Sequence, residues 1–194
     1  MKAFGLTGGI GMGKSAAAQL LNERGVAVVD TDDLARQVVA PGQLALREIE
    51  LAFGPGILGP NGQLRRDELA RIIFADPVAR QRLEAILHPR IHQLWQVQLQ
   101  TWRAEGKAVA VVVIPLLFET QAAGQFDSVI CVACSTATQR GRLQARGWSP
   151  EHIEQRNAAQ LPVPEKMLRS NYVIWTEGAL EVHARQWSHI LPPD

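Results

Sequence analysis

Five short apolar runs punctuate the chain, and longer stretches of mixed, helix-forming composition separate them. The runs are residues 2–6 (KAFGL), 26–29 (VAVV), 108–114 (AVAVVVI), 128–133 (SVICVA) and 172–175 (YVIW). They are continuous rather than alternating, the pattern of strands buried on both faces of a parallel sheet. Between them lie segments such as KSAAAQLLNER, rich in good helix formers and followed by Gly25 as a stop. Strand and helix in alternation predict an α/β fold: a doubly wound, parallel five-stranded sheet with right-handed crossovers. Ligands of such a sheet bind at the carboxyl ends of its strands.

Two stretches exceed what a single crossover needs. Residues 35–106 contain the loop GPGILGPNGQ and the segment ADPVARQRLEAIL, where Asp76 can cap a helix and Pro77 can fill its first turn. Residues 136–170 carry Arg140, Arg142, Arg146, Arg156, Lys166 and Arg169 but few large apolar side chains. The expected organisation is one domain over 1–194, with a core of 1–34, 107–135 and 171–194. A helical subdomain beside the site spans 35–106, and a segment over 136–170 is either a solvated helix pair or a mobile lid that brings arginines to phosphates.

Composition narrows the function. The chain has 194 residues, 46% of them hydrophobic, and a net charge of +1. That length suits one domain with an insertion, and the charge balance points to neither nucleic acid nor a membrane surface. The run AVAVVVIPLLF (108–118) is too short to span a bilayer, and no signal-peptide core follows Met1, so a cytoplasmic protein is expected. Cys131 and Cys134 have C-x-x-C spacing but fall in a β-branched run, which reads as two small core thiols.

GLTGGIGMGKS, directly after the first run, matches G-x-x-x-x-G-K-[ST] from Gly8 to Ser15. In a strand–loop–helix context this is a phosphate-binding P-loop. Gly9, Gly11, Met12 and Gly13 form the turn whose backbone N–H groups close on phosphate, and Ala16 continues into the helix N-terminus. Lys14 reaches the β- and γ-phosphates, and Ser15 supplies a hydroxyl to Mg²⁺. The implied ligands are ATP and Mg²⁺.

Three further stretches offer chemistry. VVDTDDLARQVV (28–39) places Asp30, Asp32 and Asp33 after the second strand, where a carboxylate can take the proton of an acceptor hydroxyl or cap a helix. ILHPRIH (86–92) puts His88 and His92 four apart, yet Pro89 intervenes and no metal-site glutamate follows. His88 is then a helix cap or an acceptor contact. VIPLLFE (113–119) ends a buried strand with Leu116 and Glu119, in the manner of a Walker B element whose acid holds Mg²⁺ through water. GTPase N-K-x-D and D-x-x-G elements and the LSGGQ signature are missing, which favours a small-molecule kinase.

These pieces together resemble the dephospho-CoA kinase family from end to end. The similarity runs through LTGGIGMGKS, VVDTDDLARQVV, GQLRRDELARIIF, LEAILHPRIH, VIPLLFE, TQRGRLQARG, RNAAQ and NYVIWTEG. The resemblance implies a P-loop NTPase-type fold and transfer of the ATP γ-phosphate to the ribose 3′-hydroxyl of dephospho-CoA. It also implies Asp32 as base with Asp30 as companion, Arg140 as the lid arginine that meets ATP, and Thr176 near the adenine. By the same resemblance 35–106 is a helical acceptor-binding insertion, and Arg66, His88, Leu116 and Glu119 would face the acceptor. The chain departs from the family pattern at Ala16, Val113 and Thr176, where threonine, aspartate and asparagine are more usual. A nucleoside monophosphate kinase would share loop and lid but would need basic residues around an acceptor phosphate. A non-catalytic ATP-binding scaffold would not need Lys14, Ser15 and Asp32 together. The expected partners are these two small molecules, with no nucleic acid and no membrane, and the expected state is a monomer or weak oligomer.

Overall fold

In the computed structural model, which describes residues 1–191, the five apolar runs form five strands. They are β1 (Lys2–Thr7), β2 (Ala27–Asp30), β3 (Val109–Val113), β4 (Ser128–Ala133) and β5 (Tyr172–Trp175). The helices are α1 (Lys14–Glu23), α2 (Thr31–Val38), α3 (Leu44–Phe53), α4 (Arg66–Ala75) and α5 (Pro77–Ala104). After β3 come α6 (Thr136–Gln144), α7 (Pro150–Ala158), α8 (Val163–Leu168) and α9 (Leu180–Trp187). All strand pairs are parallel, in the order β2-β3-β1-β4-β5.

The chain separates into two compact units, Met1–Asp30 with Leu99–Asp194, and Thr31–Gln98. The first holds the sheet. Four consecutive residues from Ala110 to Val113 are fully buried, so β3 is covered on both faces, as its valine content favours. On one face Phe4, Leu6, Val111, Val113, Ile130 and Val132 pack with Leu20 and Leu21 of α1 and Trp187 of α9. This burial fixes β1 at the sheet centre and, with it, the loop that leaves its carboxyl end.

The second unit starts at Thr31, where α2 follows β2 without a loop, and ends inside α5. Val38, Ala45, Ile49, Ile57, Leu69 and Leu83 form its own core. The structure extends the helix expected from ADPVARQRLEAIL. It begins at Pro77, with Asp76 Oδ1 accepting from the Val78 N–H at 2.8 Å, but runs for 28 residues and through Pro89. Proline removes a backbone donor there, and Arg90 Nη1 donates to the Ile86 carbonyl at 2.6 Å within the same turn. His88 is therefore a mid-helix residue rather than a cap, because the helix does not break where the proline suggested.

The 136–170 segment also differs from a solvated helix pair. It contains three helices, and Leu143, Ile153 and the whole Lys166 side chain are buried. Packing of a few well-spaced apolar residues suffices to seat it.

Candidate active site

The loop after β1 has a backbone that only glycine permits at its two ends. Gly8 has φ 149°, and a Cβ there would lie 2.4 Å from the Val132 carbonyl oxygen of the neighbouring strand. Gly13 has φ 96° and lies tight against Thr176. It occupies the N-cap position of α1 without a side-chain capping bond. The N–H groups of the first turn, at Lys14, Ser15 and Ala16, thus meet the loop uncapped, with the positive end of the helix dipole behind them. That is a ready anion site.

The carbonyl oxygens of Gly8, Gly9, Ile10 and Met12 in the same loop are engaged. Lys14 Nζ donates to the carbonyls of Gly8 at 2.8 Å and Gly9 at 2.9 Å. Gln139 Nε2 of α6 donates to the Ile10 carbonyl at 2.8 Å, and the Thr176 hydroxyl donates to the Met12 carbonyl at 2.9 Å. Negative peptide ends are tied away while the ammonium is held across the loop. Gly9 and Gly11 complete the turn, the buried Met12 Sδ accepts from the Cys134 N–H at 3.2 Å, and the Ser15 side chain is exposed.

Thr176 is joined to α6 as well. Arg142 donates to its hydroxyl at 3.0 Å and to its carbonyl at 2.5 Å. Next to it, Glu177 Oε1 accepts from the Ser135 N–H at 2.9 Å, from Thr138 Oγ1 at 2.5 Å and from the Ser135 hydroxyl. Trp175 Nε1 donates to Oε2 at 3.0 Å. These donors, the Ser135 hydroxyl foremost, hold the Glu177 carboxyl down at about 2. Glu177, Arg142 and Gln139 thus fasten the loop after β5 and the start of α6 to the P-loop.

A depressed acid stabilises the fold once ionised, so the contribution is full above the ordinary value of 4.5 and disappears as pH falls towards 2. Glu177→Gln is expected to be less stable than the parent at pH 7, with the difference closing across that window. Urea unfolding at pH 7, 4 and 2.5 checks this. A gap that stays constant with pH would contradict the ionised-acceptor account.

The remaining sequence-derived residues fall in distinct places. Asp30 ends β2 in register with Val113, two strand spacings (roughly 10 Å) from β1 at the same carboxyl edge. Asp32 and Asp33 lie in the first turn of α2, where Asp33 pairs with Arg36. Arg66 opens α4 and is exposed; His88 is half-buried on α5. Asp32, Asp33, Arg66 and His88 belong to the second unit, and Asp30 to the first. In the first, Arg140 projects from α6 and lies 3.5 Å from Glu154 of α7. Leu116 is half-buried, and its carbonyl accepts from the Thr120 N–H and hydroxyl. Glu119 is drawn towards the 136–170 segment: Oε1 accepts from the Leu161 N–H at 2.8 Å and from Lys166 Nζ at 2.9 Å. Lys166, fully buried on α8, also donates to the Pro115 carbonyl at 2.6 Å.

Gln139 and Glu177 were not singled out in the sequence, and Arg142 and Lys166 stood there only among the cations of the 136–170 segment. The only available signal was that Gln139 and Arg142 stand three apart in TQRGR, on one helix face. Cys131 and Cys134 are buried free thiols, and burial raises both, Cys131 to about 11. Among the described residues no helix is long and apolar enough to cross a membrane.

This geometry has relatives. The sequence profile of the dephospho-CoA kinase family matches residues 2–181. The dephospho-CoA kinase of Geobacter sulfurreducens is 45% identical over 191 residues, covering 98% of this chain and 97% of that one. The crystal structure of TT1252 from Thermus thermophilus superposes with a TM-score of 0.85 at 34% identity, covering 97% and 95% of the two chains. Dephospho-CoA kinase from Campylobacter jejuni gives 0.72 at 26% identity, covering 98% and 96%. A P-loop sheet matched over nearly its whole length by such relatives leaves one assignment: the chain belongs to the dephospho-CoA kinase family.

Proposed function

We propose that this kinase phosphorylates dephospho-CoA with the site residues in the following roles. The P-loop and the first turn of α1 hold the β- and γ-phosphates of ATP, with the Lys14 ammonium on their oxygens. The observation that carries this is the loop itself: engaged carbonyls, an uncapped helix N-terminus and a lysine held across them. The ribose 3′-hydroxyl of dephospho-CoA attacks the γ-phosphorus, its proton passes to Asp32, and the bond to the β,γ-bridging oxygen breaks. CoA and ADP result. Little covalent work falls to the protein in such a loose transfer, so positioning and charge carry the rate.

Asp30 steadies the acceptor beside Asp32, and Arg66, His88, Leu116 and Glu119 complete its surroundings. Thr176 lies by the adenine. The exposed Ser15 hydroxyl is a hard oxygen donor suited to Mg²⁺, and no cluster of three or more His, Cys, Asp or Glu among the described residues competes for an ion. Bound there with the ATP phosphates, Mg²⁺ would supply charge neutralisation. We place the protein in the cytoplasm, as a monomer or weak oligomer, binding neither nucleic acid nor membrane.

Arg140 is exposed and paired only loosely with Glu154, so it can turn to the transferring phosphoryl. Arg140→Ala is expected to lower kcat tenfold or more while KM for dephospho-CoA changes less, since such a contact counts mainly in the transition state. Initial rates at varied acceptor check it, and an unchanged kcat removes Arg140 from the site. For the whole reading, ADP release should require dephospho-CoA. Release driven equally by nucleoside monophosphates would replace the acceptor.

A further inference from the structure

The second unit contains a cavity of about 300 Å³ that none of the roles above uses. Gln37 near the end of α2, Gln43 and Leu44 at the start of α3, and Arg90, Gln93 and Leu94 of α5 line it. We propose that this groove holds the pantetheine arm of the acceptor, a chain of two amides and a dimethyl-substituted carbon ending in a thiol. The inference rests on the dephospho-CoA reading and adds to it the part of the substrate remote from the chemistry.

The chemistry of the lining selects the arm. Three carboxamides can each donate to and accept from a ligand amide, and Gln43 does not spend its side chain on capping α3. Leu44 and Leu94, 68% and 38% exposed, are apolar side chains left on an open surface beside those amides. Together they match a ligand that alternates amide and methyl groups. Arg90 does not turn the groove into a phosphate site. Its Nη2 pairs with Glu48 at 2.6 Å and its Nη1 is held by the Ile86 carbonyl at 2.6 Å. The charge is neutralised where it stands, which suits a neutral chain better than a nucleotide phosphate. Placement agrees. Gln37 follows Asp32 by five residues on α2, about 7.5 Å along the helix axis and about 140° around it. A ribose and a diphosphate bridge separate the reacting hydroxyl from the arm, a linker long enough to pass around α2 from one flank to the other.

Gln37→Ala/Gln93→Ala tests the groove without disturbing the core, since both residues are exposed. Loss of two amide hydrogen bonds is expected to raise KM for dephospho-CoA about tenfold, with kcat and KM for ATP within about twofold of the parent. A second measurement reads the arm directly. Leu94→Cys is treated with the symmetric disulfide of dephospho-CoA; its thiolate attacks one sulfur, a mixed disulfide forms, and one dephospho-CoA thiolate leaves. Leu51→Cys, 86% exposed in the parent, is the control, and oxidised glutathione is the reference reagent. Labelling at Leu94→Cys is expected to favour the dephospho-CoA disulfide at least tenfold over glutathione, with no such preference at Leu51→Cys. Equal preferences at the two positions, or an unchanged KM in the double variant, overturn the groove while acceptor-dependent ADP release by the parent still stands. Absence of that release in the parent fails the acceptor reading itself.

Discussion

Lys14→Ala is expected to lower kcat by about 10²- to 10³-fold, the usual cost of removing one preorganised charged ligand from a developing transition state. The side chain is half-buried, and its partners are the loop carbonyls of Gly8 and Gly9. Its loss leaves no cavity in the core formed by β1, α1 and α9. Stability should change by no more than about 0.5 kcal/mol, or about 2 °C in Tm for a chain of this size. Turnover and thermal melting measured on one preparation check both halves. Near-normal turnover would mean that the loop holds something other than the transferred phosphate. A collapse in Tm would mean that the lysine is a structural brace for the loop.

Asp32→Asn is expected to lower kcat by about 10²-fold or more, with little change in ATP affinity. Asparagine keeps the shape and can still hold the acceptor hydroxyl, but it cannot take the proton. General-base contributions run to about 10²–10⁴-fold, and a loose phosphoryl transfer demands the proton late, which favours the lower part of that range. The neighbouring carboxylate is the internal control. Asp33 is exposed and committed to Arg36 on the same helix, so Asp33→Asn should cost much less. Binding of ATP and kcat, determined side by side on the two variants, decide the assignment. A crippled Asp33 variant with a healthy Asp32 variant would shift the base by one residue. Full activity in both would leave the aspartates as first-turn helix residues and nothing more.

Much of the fold could be read along the chain because it is written locally. Strands β3 and β4 are runs of β-branched residues, β1 is fixed by the glycine loop that follows it, and Gly25, in a left-handed conformation after α1, marks that helix end. The five-stranded parallel sheet follows from those signals. Other features depend on residues far apart in sequence and carry no local mark. Glu177 bonds to Ser135 and Thr138, some forty positions earlier, and Lys166 reaches Pro115 and Glu119 across a similar distance. Nothing in RNAAQLPVPEK announces that its lysine is buried. Pro89 misled in the opposite way, since it suggested a cap at His88 where the helix runs on through the proline. The pairing of Glu119 with Lys166 was equally invisible, because a strand-end acid looks the same whether it faces solvent, metal or an ammonium.

The position of the transferred phosphate tests the account most directly. The parent enzyme is incubated with dephospho-CoA and ATP labelled at the γ-phosphate, and the product is examined by ³¹P NMR and by digestion with a 3′-nucleotidase. One labelled phosphomonoester per ADP formed is expected, on the ribose 3′-oxygen and removed by that digestion. Label in an anhydride, label on another hydroxyl, or ADP formed at the same rate without dephospho-CoA would contradict it.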